Sequence, residues 1–271
     1  MRSQKEIALE TKLIEAAAGL GLSANALEAV KKLLADEEVQ SIQEYANTVS
    51  IKRLGFNDHG PVHMRTVALN AVIMLGLLRD AGIPTSLQKE EAGAFEDSLT
   101  GAIMAACLHD IGMSIGRQDH ELHSAYLAYP LLDRFVALAY PDNIPKMAMV
   151  RSLALECISG HMGNRAIHSL EAGVILVADG CDMQKGRARI PIALAQSPRS
   201  GDIHQFSANS IEEVRILRGQ EKPIRVEVTM SAEVGLFQIE EVLMGKISAS
   251  PAKGYIELYT RVKDSESRRY L

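Results

Sequence analysis

The run Gly101-Ala-Ile-Met-Ala-Ala-Cys-Leu108 ends in the pair His109-Asp110. Few features of a 271-residue chain restrict its fold more. Eight small and apolar residues are too few to span a bilayer and read as a helix of a protein core. They nevertheless carry an imidazole and a carboxylate into that core, where both are costly to desolvate unless something pairs them. A cation would do so. Other metal-binding side chains lie on both sides of the pair, at His59, His63, His120, His123, His161, Asp179 and Asp182. Six of the eight histidines fall between residues 59 and 161, and that clustering points to a metal enzyme.

Composition narrows the partners. An apolar share of 47% supplies a sizeable core, and 23% charged residues is ordinary for a soluble protein. The net charge of −5 leaves no overall footprint for nucleic acid or an anionic membrane, so neither is an expected partner. Trp is absent, which weakens any aromatic stacking surface. Cys107, Cys157 and Cys181 lie in apolar or helical context without Cys-x-x-Cys spacing, as reduced thiols of a cytoplasmic protein would. The opening Met-Arg-Ser-Gln-Lys-Glu leads into a charged amphipathic segment. No signal peptide or membrane span is expected from it.

Helical spacing dominates the first two thirds. Residues 4–50 are rich in Ala, Leu, Glu and Lys, with a break at Gly19-Leu20-Gly21-Leu22-Ser23 that predicts two helices, the second capped by Ser23 or Asn25. Pro61 suits a first helical turn, and Val62 to Asp80 follows as a long apolar-faced run closed by Gly82-Ile83-Pro84. Further helices are expected at 97–109, 119–138, 144–160 and 167–183. Near residue 210 the period changes to two: Val214 to Arg218, Ile224 to Met230 and Tyr255 to Val262 alternate as strands, with a helix between Val234 and Ser248. The expected organisation is an N-terminal helical extension (1–50), a helical main domain (51–205) and a small α+β domain of β-β-α-β order (206–271).

Each candidate ligand sits where a buried helix brings an end or a face toward a common centre. His63 is in the first turn after Pro61, His109-Asp110 and His161 end helices, and Asp179 breaks the apolar run Gly173-Val-Ile-Leu-Val-Ala178. Neutral imidazoles and carboxylates suit Mn²⁺, Fe²⁺, Ni²⁺ or Zn²⁺, and Mg²⁺ is compatible; one cation or two is left open. A carboxylate flanked by histidines can bridge two cations, an arrangement suited to attack on phosphorus.

The constellation His63…His109-Asp110…Asp179 resembles the signature of the HD superfamily of metal-dependent phosphohydrolases. Flanking segments extend the likeness: His63-Met-Arg-Thr-Val-Ala68, Leu108-His-Asp-Ile-Gly112, His123-Ser-Ala-Tyr-Leu-Ala-Tyr-Pro-Leu-Leu132, Ser159-Gly-His-Met-Gly163 and Val177-Ala-Asp-Gly-Cys-Asp-Met-Gln-Lys-Gly-Arg-Ala-Arg189. The last is similar to the end of the ribonuclease Y catalytic domain and of related small prokaryotic HD proteins. The resemblance covers about residues 55 to 195 and implies an HD-type helical bundle. It implies one metal on His63, His109, Asp110 and Asp179, with Asp110 bridging to a second completed by His123 and His161. His59 falls where a related branch has an extra ligand. Met113 stands where many relatives have a phosphate-binding Lys, and the Gly-Tyr-Pro element of that branch is absent. The RNA-binding module and membrane anchor of ribonuclease Y have no counterpart, so long RNA is not expected.

The resulting expectation is hydrolysis of a small phosphorylated substrate, such as a nucleotide, by metal-activated water. Asp110 lies at the reacting centre, and Lys185, Arg187 and Arg189 steady the phosphate. His120, one turn before His123, competes with it for the ligand position. Asp182 is expected to support a ligand from outside the coordination shell. A nucleotide-sensing or scaffold protein with a structural metal is the alternative reading. The strand edges of the C-terminal unit suit a homodimer.

Overall fold

The computed structural model describes residues 2–184, 203–263 and 265–271. It is mainly helical, with a small C-terminal four-stranded mixed sheet. Helices α1 (Gln4–Gly19), α2 (Ala24–Ala35) and α3 (Glu37–Thr48) come first, then a π-helical turn (Val49–Arg53). The layer that follows comprises α4 (Pro61–Asp80), α5 (Ser86–Lys89), α6 (Phe95–Leu108), α7 (His120–Ala139), α8 (Ile144–Gly160) and α9 (Leu170–Gly180). The expected helices are present to within a few residues. The N-terminal segment holds three rather than two, because Asp36 takes an extended conformation and its side chain accepts from the Val39 amide, starting a new helix.

At the centre lies α6. Every residue from Asp97 to Leu108 is buried, so this helix has no solvent face, as its unbroken small and apolar sequence requires. It packs against α4 and α8, while α4 also meets α1 and α9. Helix α4 is long and apolar enough to cross a membrane by composition alone, yet 67% of its most apolar window is buried inside this protein. Leu13, Ala17, Val30 and Leu33 of α1 and α2 are fully buried in the same core. A polar knot ties these helices to α4. The Arg65 guanidinium, 1% exposed, donates to Glu10 Oε1 at 2.8 Å, Gln43 Oε1 at 3.0 Å and the carbonyls of Pro61 and Leu34. Gln43 in turn donates to the Cys107 carbonyl at 2.6 Å, two residues before His109.

The C-terminal unit begins with α10 (Ile203–Ser210) and β1 (Ile211–Arg218), which pairs antiparallel with β2 (Ile224–Met230). A short α11 (Leu236–Gln238), a π-helical turn (Ile239–Leu243) and α12 (Met244–Ala249) cross over to β3 (Ile256–Val262), parallel to β2. The β-β-α-β order matches expectation, with a two-residue β4 (Arg268–Arg269) added at the edge. The expected single helix is broken in type, α to π to α. Buried Glu257 clamps the β1–β2 turn by accepting from the amides of Gln220, Glu221 and Lys222 at 2.9–3.2 Å.

The crossover docks on α9 at a glycine. A Cβ at Gly173 would stand 2.6 Å from Ser250 Oγ and 2.9 Å from Pro251 Cδ, and Ser250 donates to the Gly173 carbonyl at 2.9 Å. The missing side chain lets the crossover lie flat against the helix.

Candidate metal centre

Five helix ends converge. Pro61 starts α4 and places His63 in its first turn, while α6 stops at Leu108 and presents His109 and Asp110. His120 is the first residue of α7, His161 caps α8, and Asp179 lies in the last turn of α9. His63, His109, His120 and His161 are at most 1% exposed and Asp110 is 2% exposed, a density of polar groups that an apolar core tolerates only if they are mutually satisfied.

Their ligand atoms form two groups sharing one carboxylate. In the first, His63 Nε2 stands 3.2 Å from Asp110 Oδ2, 3.1 Å from Asp179 Oδ1 and 3.2 Å from His109 Nε2. In the second, Asp110 Oδ1 is 3.2 Å from His120 Nε2 and 3.3 Å from His161 Nε2, and these two nitrogens are 3.1 Å apart. Ligand atoms held about 2.1 Å from a common cation stand about 3.0 Å apart at octahedral and about 3.4 Å at tetrahedral angles. These spacings fall between the two values, with His109 Nε2 to Asp179 Oδ1 wider at 3.8 Å, so both groups come close to the shell of a divalent ion. Asp110 turns one oxygen to each.

The outer ring nitrogens fix which face of each imidazole is free. His109 Nδ1 lies 2.8 Å from the Ala106 carbonyl, His161 Nδ1 2.7 Å from that of Ile158, and His120 Nδ1 3.0 Å from that of Arg117. His63 Nδ1 lies 2.7 Å from Asp182 Oδ2. A carbonyl or carboxylate only accepts, so each Nδ1 carries a proton and each Nε2 faces inward, with a lone pair there whenever the ring is neutral. Two lone pairs 3.1–3.2 Å apart repel unless a positive charge lies between them.

Electrostatics agree. Burial opposes charge on His109, but Asp110, and after it Asp179, outweigh that cost and push the imidazole up to about 9. Burial also disfavours ionised Asp110, yet His109, His59 and the bonds to His109 and His120 hold it well below the usual carboxylate range. Asp179 is likewise held low against burial, by Lys246 and then by His109 and His63. His161 falls to about 4 through burial, which the bond to Asp110 only partly opposes. The carboxylates thus draw positive charge strongly, and His161 offers a neutral ring.

Of the residues expected at a metal, the structure brings His63, His109, Asp110, His161 and Asp179 together. His123 requires a correction, because His120 stands in its place. Asp119 takes a left-handed φ of 51°, which turns the chain so that α7 opens with the His120 ring at Asp110. His123, one turn on, packs over Gly112, and its Nδ1 is buried without a hydrogen-bond partner among the described residues. A Cβ at Gly112 would collide with the His120 carbonyl and the Ser124 amide, so the close approach of α7 depends on that glycine. His59 stands at the edge, its ring centroid 5.9 Å from that of His63 and its Nδ1 2.6 Å from the Asn57 carbonyl. Lys185, Arg187 and Arg189 lie outside the described residues. Sequence reasoning missed Lys246, whose ammonium pairs with Asp179 Oδ2 and donates to the His161 carbonyl. Nothing in its local sequence marks it.

A cavity of about 780 Å³ opens onto Asp110, His161 and Asp179, with His59, Phe56 and Arg117 on one side and Gln238, Glu241 and Lys246 of the C-terminal unit on the other. Its size suits a small organic ligand rather than a lone ion.

No family model matches the chain, and no solved structure matches it. It is 43% identical over 244 residues to the uncharacterized protein MJ1020 of Methanocaldococcus jannaschii, an alignment spanning 88% of this chain and 92% of that protein. An identity of that level over nearly the full length of both proteins places this chain in the same family as MJ1020.

Proposed function

We propose that this protein is a metal-dependent phosphohydrolase of the HD type, acting on a small phosphorylated substrate such as a nucleotide. The observation that carries the reading is Asp110, whose two carboxylate oxygens each face a separate set of inward-turned imidazole nitrogens. His63, His109, Asp110 and Asp179 would hold one divalent cation, and His120, His161 and Asp110 a second. Such cations supply charge to offset phosphoryl oxygens and lower the pKa of bound water. The chain's own residues do the rest. Asp182 and the carbonyls of Ala106, Ile158 and Arg117 orient the four rings, and the helix ends shut bulk water from all but the cavity side. The cavity has room for a nucleotide-sized molecule.

Turnover of bis-p-nitrophenyl phosphate and of a nucleotide panel by protein loaded with Mn²⁺, Fe²⁺, Ni²⁺ or Zn²⁺ tests this, beside His109→Ala. Activity lost in the variant supports the proposal. Metal uptake with no turnover of any phosphoester would remove it.

A further inference from the structure

We infer that Lys246 is the side chain that grips the anionic group of the substrate, so that the C-terminal unit completes the active site rather than merely adjoining it. The inference rests on the phosphohydrolase reading for the chemical class of that anion. The position of Lys246 carries it. Its stem crosses α9 at Gly180, where a Cβ would lie 3.0 Å from Lys246 Cδ, so the absence of a side chain there gives the lysine a close path to the centre. There the ammonium bonds Asp179 Oδ2, of the first ligand group, and the carbonyl of His161, of the second, at 2.9 Å. The cation is therefore tethered beside both groups on their open side.

An ammonium has three N–H donors, and two are used. The third has no acceptor among the described residues, and Lys246 lines the cavity. Arg117 is the other cationic side chain among the described lining residues, and its guanidinium lies over the Phe56 ring, 5.6 Å from the centroid. Met113, after the His-Asp-Ile-Gly turn, is fully buried and offers no charge. Asp110, Asp179, Asp182 and Glu241 line the same cavity, so their four carboxylates would balance two divalent ions and leave the charge of Lys246 in excess at the cavity wall. A dianionic phosphoryl group satisfies the free N–H and the excess charge together, as an ammonium point charge does in other phosphate sites.

Inorganic phosphate is the probe. Calorimetric titration of phosphate into metal-loaded full-length wild type, Lys246→Met, Lys246→Gln and Lys246→Arg, with metal content measured on each, tests the role. The expected result is unchanged metal content throughout, at least tenfold weaker phosphate binding in Lys246→Met and Lys246→Gln, and partial retention in Lys246→Arg. Lys246→Gln keeps a donor for Asp179 without the charge, so it reports even if Lys246→Met folds poorly. Phosphate binding equal to wild type in both neutral variants overturns the inference, as does loss of metal from both, which would make Lys246 a support for Asp179 alone. A wild-type protein that takes up metal but binds no phosphate sinks the phosphohydrolase reading and this inference with it.

Discussion

The His63 ring is oriented by Asp182, three residues past Asp179, because its Nδ1 proton has that carboxylate as acceptor. Removing an outer partner of this kind typically costs 10–100-fold in metal affinity. Asp182→Ala should therefore weaken Mn²⁺ binding by about that factor; unchanged affinity in a competition titration would show that the ring needs no such support. Glu257 gives a second prediction. Burial raises its pKa, but the amides of Gln220, Glu221 and Lys222, with Arg225, outweigh burial and lower it. A depressed carboxylate pKa stabilises the fold above the unfolded value of about 4.3 and loses that contribution as pH falls through the folded value. Glu257→Gln should be destabilised by about 1–3 kcal/mol at pH 7. The gap between urea midpoints should narrow as pH falls from about 4.3 through the lower folded value, below which the wild-type carboxyl is neutral in both states. At this scale His109-Asp110 was legible because two polar groups interrupt an apolar run. The choice of His120 over His123 was not, since both lie on one helix within a turn and only the backbone turn at Asp119 decides between them.

Helices were read from their 3.6-residue period and caps, and strands β1 to β3 from alternation, because both signals are local. Pairing is not local. That β3 lies parallel to β2, and that Gly173 receives the crossover, depend on residues some 30 to 80 positions apart. Gly173→Ala tests the docking. The methyl gains helix propensity of about 1 kcal/mol but meets Ser250 and Pro251, and overpacking of this kind costs about 1–3 kcal/mol. The expected net result is a lower thermal midpoint, whereas a midpoint above wild type would show that the contact yields freely. Arg65 is equally hidden in sequence, where it reads as one charge on an amphipathic helix. In the structure it joins α1, α2, α3 and α4 through Glu10, Leu34, Gln43 and Pro61. Arg65→Met leaves Glu10 to Arg2 alone and leaves Gln43 Oε1 and the Leu34 carbonyl without this donor, a loss of about 1–3 kcal/mol for buried acceptors left unmade. Urea denaturation should show that loss, with Glu10→Gln recovering part of it in the double variant.

Across the whole molecule, the centre draws one or two candidate ligands from each of five helices that span residues 61 to 180, and Lys246 adds a contact from beyond them. Order along the chain indicated the convergence of the helix ends, but no pattern in the sequence shows which groups face each other across the core. The arrangement would make cation binding a property of the fold as a unit. No single segment holds the whole candidate ligand set, so the unfolded chain would bind a cation far more weakly than the folded one, and binding would stabilise the native state by mass action. At a free metal concentration 100 times Kd the gain is about 2.7 kcal/mol. For a chain of this size each kcal/mol moves the midpoint by about 2–4 °C. Metal-loaded protein should accordingly unfold about 5–10 °C above EDTA-treated protein. The shift should appear as displacement of the transition by which α4, α6, α7, α8 and α9 melt together, because their ends share the ligands. His109→Ala removes a ligand of the first group and should abolish most of the shift while leaving the outer helices α1 and α2 packed. A rise confined to one phase of a two-phase melt, or an equal rise in His109→Ala, would mean that the cation binds elsewhere on the protein and not where the five helix ends meet.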